Sequence, residues 1–192
     1  MDGGLQGPVR TRDGVYCYPL TLADQHTRYL LTCAGLPSTR GHEARRVLER
    51  AFRTYGLPRA IRSDNGVPFA TTGIPGLSQL NVWWMRLGIV HQRILPGRPQ
   101  QNGAHERMHK TLKAEACRPP RATRRTQQRR FDAFRAEYNE ERPHAALGGQ
   151  PPASQYVPSP RPYPAGLPPL EYPGHFLVKR VTQARDERGD VP

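Results

Sequence analysis

Nine of the 21 prolines in this 192-residue chain fall between Pro151 and Pro173, and that clustering limits where regular structure can lie. Proline lacks a backbone donor and fixes φ, so so dense a stretch sustains neither a helix nor a central strand. The sequence therefore predicts a folded unit over residues 1–147, a Pro-rich linker over 148–174 and a short end over 175–192. Within that end only His175 to Val181 has strand character, as the remnant of a small β domain or as part of a disordered tail. A hydrophobic content of 36% is enough for one core and not for two.

A formal net charge of +13 favours a polyanionic partner, nucleic acid above all. Arginine dominates the basic residues, which suits bidentate phosphate contacts. The cysteines, Cys17, Cys33 and Cys117, are odd in number and have no C-x-x-C spacing, so neither a disulfide framework nor a cysteine zinc site is indicated, and a reducing cytosol fits. No apolar run reaches membrane length and no signal-type segment opens the chain, which excludes membrane insertion and export from the expectations.

Along the first unit, β-rich runs from Val15 to Ala23 and from Thr27 to Cys33 flank the polar turn Asp24-Gln25-His26 and predict a hairpin. Pro19 inside the first run requires an edge or a bulge. A helix capped by Ser38 or Thr39 follows, with Ala44, Val47, Leu48, Ala51, Phe52 and Tyr55 on one face, ended by Gly56 and Pro58. Arg59 to Ser63 reads as a short buried strand delivering Asp64, although the Asn65-Gly66 pair after it also fits a plain turn. Pro75 to Leu87 reads as a helix whose Trp83 and Trp84 belong to the core, Ile89 to Leu95 as a strand, and Thr126 to Glu141 as a helix burying Phe131, Phe134 and Tyr138.

Between those last two elements, the Pro- and Gly-rich loop from Pro96 gives way near Asn102 to a helix with Ala104, Met108 and Leu112 at apolar spacing. Glu106, Lys110 and Lys113 lie at i, i+4 and i+7, so one carboxylate and two ammonium groups share a face able to hold a metal and phosphates. The same stretch, His105-Glu106-Arg107-Met108-His109, also satisfies H-E-x-x-H, the zinc protease signature. Its extended form fails at Leu112 and Glu115, though Glu137 or His144 remains as a third ligand. A third reading makes His105 and His109 plain solvent-exposed side chains.

Four runs taken together decide among these. Tyr18-Pro-Leu-Thr-Leu-Ala-Asp-Gln-His-Thr-Arg-Tyr, Arg62-Ser-Asp-Asn-Gly-Val-Pro-Phe, Pro99-Gln-Gln-Asn-Gly-Ala-His-Glu-Arg and Tyr138-Asn-Glu-Glu-Arg-Pro-His resemble, in order, the integrase catalytic core of DDE transposases from bacterial insertion sequences, relatives of retroviral integrases. The resemblance spans about residues 2 to 156. It implies an RNase H-like fold of the α/β class, a mixed sheet flanked by helices, with Asp2, Asp64 and Glu106 converging as catalytic and metal-binding residues. Three adjacent carboxylates repel one another unless divalent cations neutralise them, and all-oxygen ligands favour Mg²⁺ or Mn²⁺ over zinc. Two such ions about 3.5–4 Å apart would activate water or a DNA 3′-hydroxyl and stabilise the leaving oxygen.

The resemblance further implies DNA contacts by Asn102, Arg107, Lys110 and Lys113, transposon ends and target DNA as partners, and a homo-oligomer on that DNA in the bacterial cytoplasm at the nucleoid. Asp24 and Asp13 are disfavoured as the first carboxylate, the former being at a hairpin tip and the latter without a flanking strand. Relatives of this kind have a helix-turn-helix region before the core and a small β domain after it. A chain starting at Met1 is therefore expected to be truncated at both ends, to lose the leading half of its first strand and to leave central backbone groups unpaired. The rival expectation is a catalytically impaired DNA-binding remnant.

Overall fold

Strand β1 (Asp2–Leu5) lies at the centre of the sheet in the computed structural model, which describes residues 1–63, 66–69, 78–94 and 103–169. It pairs antiparallel with β3 (Tyr16–Ala23), from Asp2↔Ala23 to Leu5↔Leu20, and parallel with β5 (Ala60–Ser63), through Asp2↔Arg62 and Gly3↔Ser63. On the far side of β3 runs antiparallel β4 (Leu30–Leu36), completing the expected hairpin, and beyond β5 runs parallel β6 (Val90–Arg93). The result is a mixed sheet of order β4-β3-β1-β5-β6. The hairpin tip is held by Asp24, whose Oδ2 accepts from both the amide and the hydroxyl of Thr27 at 2.8 Å.

A two-residue strand, β2 (Val9–Arg10), continues the lane of β1 along β3. It is too short to show a pattern in sequence, and it corrects the expectation that Asp13 has no flanking strand: Asp13 occupies the exposed turn between β2 and β3, its Oδ1 accepting from the Thr11 hydroxyl. The same interruption explains Pro19. Three residues, Gln6 to Pro8, lie opposite two on β3, a one-residue bulge. The Pro19 carbonyl accepts from Gln6 N at 2.8 Å, and the N–H that proline lacks would have pointed into that irregular stretch.

Helices cover both faces. On one, α1 (Gly41–Tyr55) and α2 (Gln79–Arg86) pack Leu48, Phe52, Leu80, Trp83 and Trp84 against Leu20, Leu22 and Ile61, so both tryptophans are core residues. On the other, α3 (Gly103–Glu115) and α4 (Arg124–Glu140) pack Met108, Leu112, Phe131 and Phe134 against Cys17, Leu30 and Cys33. Leu20 and Leu22 face one way and Thr21 and Ala23 the other, the period-2 alternation of a strand buried on both faces.

Neither Ser38 nor Thr39 caps α1. Arg40 occupies the cap position without a side-chain bond, and Ser38 Oγ instead accepts from Arg40 N at 3.3 Å. Reciprocal capping pairs do start α2 (Ser78 with Asn81) and α4 (Thr123 with Thr126). Gly56, at φ +78°, ends α1 as expected, its amide bonded to Phe52 O.

The Pro-rich segment has no strand or α-helix through residue 169, yet it is docked. Tyr156 stacks on Tyr29 with centroids 4.1 Å apart, Leu57 N donates to Arg161 O at 2.7 Å, and the Arg161 guanidinium reaches the carbonyls of Pro58, Leu87 and Gly88 at 2.8 to 3.2 Å. Proline density excludes ladders, not contact. Residues 175–181 lie outside the described residues.

The Tyr138-to-His144 run works as a clasp. Asn139 Oδ1 accepts from Leu30 N at 2.8 Å and its Nδ2 donates to Leu30 O at 3.0 Å, so one buried amide satisfies both backbone groups at the start of β4. Arg142 pairs with Glu115 and lies 3.7 Å from Glu137, tying the end of α4 to the end of α3. Asn139→Ala leaves a donor and an acceptor buried and unpaired, at a cost of about 2 kcal/mol. Urea unfolding is expected to show that loss.

Candidate active site

Asp2 is 4% exposed, and its Oδ1 is buried with no hydrogen-bond partner among the described residues. Burial is the main cause that pushes its pKa up; the Met1 ammonium, Arg62 and Arg28 oppose that shift and Asp24 adds to it. A buried carboxylate oxygen with nothing to accept from is a costly feature unless a cation completes it. The leading end of the strand is nevertheless paired: the Met1 ammonium donates to Ala60 O at 3.0 Å and Met1 O accepts from Arg62 N at 2.8 Å, correcting the expectation of unpaired groups there.

Side chains two apart on a strand face the same way. Asp2 therefore faces the same side as Gly4, and that side is covered by the start of α3. An added Cβ on Gly4 would come within 2.8 Å of His105 Nε2 and 3.0 Å of His109 Cε1, which measures how closely this helix approaches β1. Thr21, across β3, completes the contact, with its Oγ1 at 3.1 Å from His105 Nε2, 2.7 Å from His109 Nε2 and 3.3 Å from Gly4 O. A single hydroxyl donates once, so donation to Gly4 O leaves both imidazoles to donate to Thr21.

This geometry disposes of two readings of the H-E-x-x-H stretch. The histidines are not solvent-exposed: His105 is 3% exposed, and burial pushes the pKa values of His105 and His109 down to about 3 and about 4. Nor do they form a zinc site with Glu106. Their Nε2 atoms meet at a threonine, and exposed Glu106 takes no part in that contact. Among the described residues no group of three or more His, Cys, Asp or Glu side chains is placed to hold a metal.

Glu106 leads an exposed face that continues through Lys110 and Lys113, with exposed Arg107 beside it, as the spacing requires. Asp64 and Asn102 lie outside the described residues, so two of the three proposed carboxylates are placed, on adjoining elements and without mutual contact. β5 ends at Ser63, one residue before Asp64. Ser63 Oγ is 2.8 Å from His91 Nε2 on β6, and His91 Nδ1 is 2.9 Å from Asn81 Nδ2 on α2, so this strand end is braced by a chain of side chains. Sequence reading missed both this brace and the Thr21 contact, since only pairing register brings their members together.

The family comparison agrees with this arrangement. A family model described as an integrase core domain matches residues 87–152, which include all of α3 and α4. An uncharacterized 39.2 kDa protein of insertion element IS476 from Xanthomonas euvesicatoria is 33% identical over 135 residues, covering 70% of this chain and 37% of that protein. An uncharacterized 31.7 kDa protein of insertion element IS407 from Burkholderia multivorans is 30% identical over 129 residues, covering 67% of this chain and 44% of that protein. The HTLV-2 integrase catalytic core domain, solved in complex with magnesium in a trimeric form, superposes with a TM-score of 0.58 at 14% identity, covering 80% of this chain and 93% of that one.

The chain carries an integrase-superfamily core. The sheet order and helix placement described above are thus the RNase H-like arrangement expected of it, and the metalloprotease reading has no support from any of these relatives. The integrase core spans less than half the length of the two insertion-element proteins. No helix among the described residues is long and apolar enough to cross a membrane.

Proposed function

We propose that this integrase core cleaves DNA strands and joins them to new sites in a divalent-metal-dependent reaction, as part of transposition. The observation that carries the reading is the buried, unpartnered Oδ1 of Asp2 on the β1 face where α3 docks. All-oxygen donors at Asp2, Asp64 and Glu106 fit Mg²⁺ or Mn²⁺, two ions by analogy with the family. When bound, these ions supply Lewis-acid activation of the attacking hydroxyl and charge stabilisation at the leaving oxygen.

The chain's own residues do the rest. Asp2 is held by the central ladder, Glu106 by the docking of α3 through His105, His109 and Thr21, and Asp64 follows the braced end of β5. Arg107, Lys110 and Lys113, with Asn102, hold the DNA backbone by its phosphates, and a reaction on two element ends calls for a homo-oligomer. The relatives from insertion elements support the substrate class.

Supercoiled plasmid nicking tests this. Wild-type protein is expected to nick with Mg²⁺ or Mn²⁺ and not with EDTA, and Glu106→Gln to nick at least about 100-fold more slowly while binding DNA within about twofold of wild type. Equal nicking by the variant overturns the assignment. Binding without any nicking by wild type makes the chain a DNA-binding module instead.

A further inference from the structure

Beside the lysine face of α3 is a cleft that the reading above does not use. It opens between the β1–β2 bulge, at Gln6, Gly7 and Pro8, and the connection from α3 to α4, at Arg118 and Pro120, and its volume is about 410 Å³. Arg10, Lys113 and Arg118 line it, and no carboxylate does. None of the three cations makes an ion pair among the described residues. Arg10 is otherwise engaged only lightly, with Nε 3.4 Å from Gly14 O and its guanidinium 6.0 Å from the centroid of the Tyr16 ring.

The remaining titratable group in the wall is Cys117, a buried thiol whose pKa burial pushes up to about 11, so it brings no negative charge at neutral pH. Three cations gathered round one concavity without a counter-charge repel one another and favour whatever anion enters. The volume lies in the range of about 300–1,000 Å³ typical of sites for small ligands or nucleotide-sized groups.

Position decides which anion. Lys113 is seven residues along α3 from Glu106, a rise of about 10.5 Å at 1.5 Å per residue. One DNA strand places a phosphate about every 3.4 Å along the duplex axis. We infer that the cleft is a phosphodiester-binding site for the DNA strand, about three nucleotides from the scissile position, with Arg10 and Arg118 as contacts additional to the face of α3. The inference rests on the proposal that this face engages DNA.

Both arginines are exposed, so Arg10→Ala/Arg118→Ala is expected to melt at the wild-type temperature. Binding of a fluorescent 30-base-pair duplex is measured by anisotropy across a salt series. Each lost phosphate contact lowers the slope of log K against log salt by about 0.9, so the double variant is expected to lose about 1.8 and Arg118→Ala alone about 0.9. A wild-type protein that binds with an unchanged slope in both variants overturns the cleft and leaves the function standing. A wild-type protein that does not bind the duplex overturns both. Inorganic phosphate that raises the melting temperature of wild type but not of the double variant, while DNA slopes stay equal, would make this a free-phosphate site and refute the inference.

Discussion

Gly4→Ala is expected to unfold more easily than wild type by about 1–3 kcal/mol and to lose about 100-fold in nicking, whereas Gly3→Ala, one residue away, is expected to be neutral or stabilising. Both glycines lie in the central strand, where a side chain ordinarily helps: replacing glycine there removes backbone entropy from the unfolded chain and adds β-propensity, together up to about 1 kcal/mol. What separates them is the face each presents. A Cβ on Gly3 would meet Ile61 Cγ2 and Leu22 Cδ1 at 3.6 Å, ordinary contact with the α1/α2 side of the core. A Cβ on Gly4 would stand 2.8 Å from His105 Nε2 and 3.2 Å from its Cδ2.

A ring at the end of a side chain can usually swing aside, but this one is buried and hydrogen-bonded to Thr21, with the His109 ring 4.4 Å away, centroid to centroid. The helix must give way instead, and Glu106 moves with it. A displacement of about 1 Å at a reacting group costs on the order of 100-fold in rate. Gly4→Val enlarges both effects. Thermal melts and plasmid nicking on Gly3→Ala and Gly4→Ala in parallel check the expectation; equal behaviour of the two variants would show that α3 does not depend on this contact for its position.

The same pair of glycines marks what was legible in the sequence. Element type came through where a period was long enough to read: α1 from its stripe of Ala44, Leu48, Ala51 and Phe52, and α4 from Phe131, Phe134 and Tyr138. Glu106, Lys110 and Lys113 could be placed on one exposed face because i, i+4 and i+7 spacing leaves no other arrangement on a helix. Features fixed by pairing between distant segments did not come through. That Gly4 faces α3, that Thr21 joins two histidines 84 and 88 residues away, and that the Pro-rich segment returns to cover Tyr29 all depend on strand register and chain return. H-E-x-x-H was ambiguous on its own for the same reason, since a four-residue spacing places two histidines on a face without saying what that face meets.

Asp2→Asn is expected to separate stability from activity. Ionised Asp2 is buried with an unpartnered oxygen, and burial pushes its pKa above the ordinary 3.8. A carboxyl whose pKa is higher folded than unfolded takes up a proton on folding, so its penalty is fully present above the folded pKa and vanishes as pH falls through that value to below 3.8. Without metal at pH 7 the amide, which cannot ionise, is expected to melt about 2–4 °C above wild type, the shift for about 1 kcal/mol in a chain of this size. That advantage should shrink as pH is lowered, because wild type then sheds the charge while other carboxylates titrate alike in both proteins. Magnesium reverses the order: it is expected to raise the wild-type melting temperature by binding the folded state and to leave Asp2→Asn unmoved, while nicking by the variant falls about 1,000-fold. A variant less stable than wild type in EDTA would mean that the Asp2 carboxylate is satisfied by protein groups, and would remove the observation on which the metal site rests.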